Sequence, residues 1–253
     1  MKKLSNTIVL SIVIPAYKEE KRIGKTLDIL NSYLKKADFL KEKQIEIIVV
    51  AADAEDKTKQ IVEAKESLFT NFQLLLPGPK SGKGRDVQYG MLRAKGKAVL
   101  FMDADLATPL KYLKIFYENY CSGNEVVVGV RDLRRYRRNP QRITVSAIGN
   151  ILYRIAGGVW IEDSQCGFKL FSSKATKTCF TNLQIMGWGF DMEVLAAAKA
   201  NNYKVKTIHI PEWEAKEGGT FEDDILMNTL RSFTDLSLIL LKRITGSYKL
   251  KDM

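Results

Sequence analysis

The chain is 253 residues long and 45% hydrophobic, enough to bury a sizeable core without covalent staples, and it carries 40 Lys and Arg against 29 Asp and Glu, a net charge of +11. That balance points to an anionic partner (nucleic acid, an anionic lipid surface or a phosphorylated substrate), and charge alone does not choose among them. Cys121, Cys166 and Cys179 show no Cys-x-x-Cys spacing and the single His209 cannot complete a zinc set, which excludes a zinc ribbon or a disulfide scaffold and leaves reduced cysteines in a reducing compartment.

The basic start runs straight into the apolar stretch 8–14, which ends at Pro15 with no small-residue cleavage pattern. It reads as a buried first strand, not a signal peptide. Ile23, Leu27, Leu30 and Leu34 then recur at helical spacing. Strands at 45–50, 72–76 and 98–102 alternate with helices near 58–68 and 86–94, and a helix starting at Pro109 precedes a strand at 125–130. Alternating elements with near-continuous apolar strands imply an α/β fold whose mostly parallel sheet is covered on both faces. Ligands bind such sheets at the carboxyl ends of strands, here 15–20, 51–56, 77–84 and 103–109.

The second half opens on an arginine cluster, Arg131, Arg134, Arg135, Arg137, Arg138 and Arg142, followed by a mostly apolar helix at 143–161. A strand at 168–171, a helix at 191–200, a strand at 205–210 and one or two amphipathic helices over 225–244 complete the chain. His209 falls in a strand and reads as structural. No repeat or long linker divides the chain, so residues 1–253 read as one domain, whose pattern changes between 1–130 and 131–253. No apolar run reaches the ~18 residues a membrane span needs.

Asp103-Ala104-Asp105 follows the strand at 98–102 directly. Two carboxylates one residue apart repel unless a cation or a partner neutralises them, and carboxylate and phosphate oxygens suit Mg2+ or Mn2+. The alternative for an isolated Asp-x-Asp is a helix cap. The run from Gly78 to Arg85 is basic, glycine-rich and precedes a helix, a setting in which backbone N–H groups approach phosphate. It is not a Walker A loop, because Gly84 stands where that motif needs Ser or Thr. A solvated turn is the other reading.

Ser11-Ile12-Val13-Ile14-Pro15-Ala16-Tyr17-Lys18-Glu19-Glu20, then Gly82-Lys83-Gly84, then Asp103-Ala104-Asp105 resembles family 2 glycosyltransferases of the GT-A fold. The run Asp163-Ser164-Gln165-Cys166-Gly167-Phe168-Lys169-Leu170-Phe171 resembles the dolichyl-phosphate β-glucosyltransferases among them. The segment Trp188-Gly189-Phe190-Asp191-Met192-Glu193 and the ending Thr245-Gly246-Ser247-Tyr248-Lys249-Leu250 fit that group too, and Ala107 leans toward its glucosyl branch.

The resemblance implies an inverting transfer of glucose from UDP-glucose to dolichyl or another polyprenyl phosphate, with Mg2+ or Mn2+, and makes 1–130 the nucleotide-sugar half and 131–253 the acceptor and membrane-facing half. Asp103 and Asp105 are the expected metal pair. Pro15, Ala16, Tyr17, Glu19, Asp53, Lys83, Ala104 and Arg131 are expected on the donor with them. Asp163 and Asp191 are candidates for positioning the acceptor or taking a proton; Asp191 reads equally as a cap of the following helix. Arg134, Arg135, Arg138, Gln165, Lys169 and Trp188 are expected near the acceptor phosphate and lipid. The arginine cluster beside apolar helices suggests a cytoplasmic protein held peripherally on a membrane face, with core packing the alternative for both helices. A nucleic-acid patch fits less well, because only Tyr136 interleaves the arginines.

Two departures stand out. Ala51-Ala52 replaces the paired acids that such enzymes carry after the second strand, one of which contacts the base, leaving Asp53 as a substitute. The N-terminal membrane anchor of the eukaryotic members has no counterpart. The rivals are therefore a family 2 transferase using UDP-GlcNAc, GDP-mannose or a saccharide acceptor, and a non-catalytic membrane-surface or nucleic-acid binding module.

Overall fold

The computed structural model describes residues 7–41, 43–53, 55–79, 82–132, 151–214 and 225–249, with backbone only for 225–231. A seven-stranded sheet runs in the order β3-β2-β1-β4-β6-β5-β7. Its strands are β1 (Ile8–Ala16), β2 (Gln44–Ala51), β3 (Asn71–Leu75), β4 (Ala98–Met102), β5 (Val126–Arg131), β6 (Phe168–Ser172) and β7 (Val205–Ile210). The pairs β1/β2, β1/β4, β2/β3 and β5/β7 are parallel, whereas β6 runs antiparallel to both β4 and β5.

The apolar strands divide by alternation. Val13, Ile48, Val50, Val99 and Phe101 enter one core layer with α3 (Lys83–Met91), α6 (Ser173–Thr181) and α7 (Phe190–Ala200). Ile12, Ile14, Ile47, Val49 and Leu100 enter the other with α1 (Ile23–Lys36) and α4 (Tyr112–Cys121). Burial on both faces is why these strands lack polar alternation. Each fully buried Phe or Ile adds about 1.5–3 kcal/mol.

Several boundaries shift from expectation. The helix expected at 86–94 begins at Lys83, which brings the end of the glycine-rich loop into its first turn. Residues 109–111 form a turn, so α4 begins at Tyr112. Helix α2 (Thr58–Glu63) stops short of 68. Helix α6 has no sequence forecast; the Ser172 side chain accepts from Ala175 N–H and starts it. The described part of 143–161 is helical only at 151–157 (α5), ending at Gly158 with φ 65°, and 143–150 lies outside the described residues. Residues 225–244 form a single helix, α8 (Ile225–Ile244). A buried ion pair ties it to α7: Lys242 Nζ donates to Glu193 Oε1 at 2.6 Å and to Asn182 O at 2.7 Å.

Candidate active site

The Asp103–Asp105 turn leaves the carboxyl end of β4 beside the entrance of β6. Asp103 N–H donates to Gly167 O at 3.0 Å. A Cβ on Gly167 would overlap the Asp103 carboxylate, so this close approach requires glycine. Thr26 Oγ1 on α1 donates to Ala104 O at 2.5 Å and anchors the turn from the other side. Leu106 then takes φ 55°, and Asp105 Oδ1 accepts from Ala107 N–H at 2.9 Å. A shallow pocket lies alongside, between Asp103, Ala107, Gly167 and Phe168.

Charge converges on this turn. Lys83 Nζ donates to Asp103 Oδ1 at 2.5 Å and stands 5.1 Å from the centre of the Trp188 ring. Burial alone would lower the Lys83 pKa, but Asp103 and then Asp191 outweigh it and hold the ammonium above its usual range. Burial first, and the charge of Asp103 second, raise the Asp105 pKa. Glu19 is raised by burial against the opposing pull of Arg22, whose guanidinium forks onto its carboxylate at 2.6 and 2.9 Å. Glu19 therefore arrives already paired. A carboxyl held above its usual pKa beside a second carboxylate is a position that a cation would stabilise. Asp103 and Asp105 offer the hard oxygens that Mg2+ or Mn2+ prefer. Among the described residues no three His, Cys, Asp or Glu cluster to cage a metal alone, so an ion held by this pair would complete its shell with water or with a ligand's oxygens.

On the far side of Gly167, Asp163 is clamped. Its carboxylate accepts from Arg131 N–H at 3.0 Å, Arg131 Nε at 2.6 Å, Arg131 Nη2 at 2.8 Å and Gln165 N–H at 3.1 Å. Burial would raise its pKa, but the Arg131 bonds and charge win and hold it below the usual range. The Arg131 guanidinium lies 5.0 Å from the Trp213 ring centre. Asp191, in the first turn of α7, accepts from Lys169 Nζ at 2.5 Å, and the same ammonium donates to Cys166 O at 2.6 Å. Burial raises the Asp191 pKa against the opposing charges of Lys169 and Lys83.

The matching sequence model is that of glycosyl transferase family 2, over residues 11–180. The chain belongs to that family. It is 32% identical to the dolichyl-phosphate beta-glucosyltransferase ALG5A of Trichomonas vaginalis, covering 97% of this chain and 77% of that protein. It is 28% identical to the dolichyl-phosphate beta-glucosyltransferase of Homo sapiens, covering 98% and 79%. Glucosyl-3-phosphoglycerate synthase from Mycobacterium tuberculosis, crystallised with Mn2+, uridine diphosphate and phosphoglyceric acid, superposes with a TM-score of 0.59 at 16% identity, over 98% of this chain and 81% of that one. Mannosyl-3-phosphoglycerate synthase from Rubrobacter xylanophilus gives 0.63 at 15% identity, over 97% and 77%. These structures share the GT-A fold expected from the sequence. This family 2 chain is thus a glycosyltransferase, which answers the non-catalytic rival.

The structure of the transferase gathers Asp103, Asp105, Glu19, Lys83, Asp163, Arg131 and Asp191 around the carboxyl ends of β1 and β4 and the entrance of β6. Pro15 and Ala16 end β1 beside them and Tyr17 follows, with Ala16 buried. Asp53 is exposed, and its N–H donates to Gly78 O at 3.0 Å. Gln165 and Trp188 are exposed at the rim. Lys169 corrects its expectation: it is 0% exposed, with its ammonium engaged by Asp191 and Cys166 O, so it does not face an acceptor. Asp191 is no helix cap either, since its carboxylate goes to Lys169 and Gly189 holds the cap position. Arg134, Arg135 and Arg138 lie outside the described residues. Sequence reasoning missed Thr26 and Arg22, and left Trp213 open between core and the sugar site. Only Arg22 left a local trace, three residues after Glu19.

Proposed function

We propose that this transferase moves glucose from UDP-glucose to dolichyl (or another polyprenyl) phosphate with inversion, using Mg2+ or Mn2+ held by Asp103 and Asp105. The observation that carries this reading is the joint placement of the Asp103–Asp105 turn and the Asp163–Phe171 run, which meet at the Asp103–Gly167 contact. The names of the similar dolichyl-phosphate beta-glucosyltransferases supply the substrates.

A phosphate monoester oxygen of the acceptor attacks the anomeric carbon as the bond to the nucleoside diphosphate breaks and its electron pair leaves with the diphosphate. The acceptor is already mostly ionised near neutral pH, so no strong base is needed. When bound, the divalent ion neutralises charge on the departing diphosphate. Lys83 is placed to follow that charge, moving from Asp103 onto phosphate. Arg131 is fixed by Asp163 and presents a rigid cation on a Trp213 platform, suited to a phosphate or sugar oxygen. Asp163, held ionised and fully bonded, positions Arg131 and is not the group that takes a proton. Asp191 shapes the field near Lys83 from within the core.

Peripheral attachment to a membrane is part of the proposal. Ile151 and Ile155 on α5, Trp160, and Leu241 and Ile244 on α8 are 50–76% exposed. No described helix is long and apolar enough to cross a bilayer. Release of UDP from UDP-glucose, measured with each of Mn2+ and dolichyl phosphate omitted in turn, tests the function; turnover without either would refute it. The Ala51-Ala52 departure favours one second reading, another nucleotide sugar. Replacing UDP-glucose by UDP-GlcNAc or GDP-mannose in the same assay decides between them.

A further inference from the structure

Asp86 is a carboxylate without an evident structural task. It is 3% exposed, and its Oδ1 is buried with no hydrogen-bond partner, a condition shared among the described residues only by Arg154 Nε and Tyr248 Oη. Burial lifts its pKa to about 6, with Arg85 pulling the other way. An orphaned buried carboxylate weakens the fold, so its retention calls for a compensating use.

Its place is set by Gly90, where an added Cβ would meet Val13 of β1 and Val50 of β2. Asp86 is one helical turn earlier on the same face of α3, about 6 Å toward the carboxyl ends of the strands. Two residues along each strand is a similar rise, about 6.6 Å, and keeps the same side of the sheet. Asp86 is therefore level with Pro15 and with Ala52, a methyl side chain where a larger residue would reach further toward the helix. The rim is built. Asp53 bridges to Pro79, and Arg85 donates to Pro77 O and, at 2.7 Å, to Pro79 O.

We infer that Asp86 reads the donor's base, its free carboxylate oxygen accepting the ring N–H of a nucleoside diphosphate such as UDP in the crevice floored by Ala52. The acid that recognises the base thus stands on α3 instead of at the end of β2. The inference rests on the donor-binding reading above. Uracil and guanine donate a ring N–H there; cytosine and adenine present a bare ring nitrogen that a carboxylate repels.

The test is calorimetric titration of wild type and Asp86→Ala with UDP, GDP, CDP and ADP, each with Mn2+, alongside thermal melts without nucleotide. Wild type should prefer UDP to CDP. Asp86→Ala should lose about 10- to 100-fold in UDP affinity, the worth of one charge-assisted hydrogen bond, and leave CDP unchanged or improved. Its nucleotide-free melting temperature should hold or rise, because an unpaired charge has gone; a structural role would lower it. Equal UDP affinity in the two proteins would overturn the role of Asp86 and leave the donor reading standing. A wild type that binds none of the four would overturn both. Preference for GDP, lost in Asp86→Ala, would support base reading by Asp86 and overturn the uridine donor.

Discussion

Lys169→Met separates two roles for one lysine. The substitution keeps length and removes the ammonium that bonds Asp191 at 2.5 Å and Cys166 O at 2.6 Å. Both side chains of the ion pair are nearly inaccessible, 1% for Lys169 and 4% for Asp191. Removing one partner of a buried pair costs about 3–5 kcal/mol, because the remaining charge is stranded. Lys83 also stabilises the Asp191 charge, which places the loss toward the lower bound, ~3 kcal/mol. For a domain of this size that corresponds to a fall in Tm of roughly 6–12 °C. Lys169→Met/Asp191→Leu removes both charges and should recover most of the loss, since apolar replacement of a buried pair is often neutral or stabilising. Melts followed by circular dichroism, with chemical denaturation of all four members of the cycle, give the coupling. A Lys169→Met protein that melts like wild type and shows a raised KM for lipid phosphate would refute the buried-pair argument and return Lys169 to the acceptor.

Asp105→Ala should lower Mn2+-dependent turnover by at least ~100-fold, the scale of a lost transition-state electrostatic contact, with Tm unchanged, as its described hydrogen bond is to Ala107 N–H. Chelation should abolish UDP release and leave the circular dichroism spectrum intact, because Lys83 and backbone contacts already hold Asp103. Gly167→Ala should displace Asp103 and weaken Mn2+ binding, read by the paramagnetic resonance of free Mn2+, even where the protein folds. Burial lifts Asp86 and Asp235 to about 6, so the folded chain holds protons that the unfolded chain has released. Their stabilising contribution is complete below the usual carboxylate pKa, about 4, and is lost as pH rises through about 6. The Tm of wild type relative to Asp86→Ala should therefore climb as pH falls from 7 to 5; a constant difference would show that Asp86 is not buried unpaired.

Strands were the most legible elements, because burial on both faces leaves runs of Val, Ile and Leu that need no partner to be recognised. The reversed direction of β6 was not legible, since a strand's own side-chain period is the same whichever way it runs. Lys169 was misplaced for a related reason. A lysine in a run marked by resemblance to a lipid-phosphate enzyme suggests phosphate, while its burial depends on Asp191, twenty-two residues away in sequence. Helix α3 hid its first turn behind Gly82 and Gly84, which read as loop; Gly84 instead fits where a Cβ would strike the backbone of Ile185. The acidic pair, the basic loop and Arg131 were visible as chemistry. The clamp from Arg131 to Asp163 was not, because thirty-two residues separate partners that the fold brings together.

The reversal of β6 has an evolutionary consequence. In a wholly parallel sheet each strand's entry loop lies at the end remote from the ligand. Here β6 enters from the ligand side, so the whole connection from β5, residues 132–167, both leaves from and returns to the mouth of the site. A change of length or charge between 132 and 150 falls between β5 and β6 in the chain and alters no residue of β1 to β5 up to Val130 or of α1 to α4. If that connection meets the acceptor as proposed, descendants of such a chain can exchange acceptors by rewriting one insertion, while the Asp103–Gly167 contact limits that freedom to what still delivers a glycine to the same point.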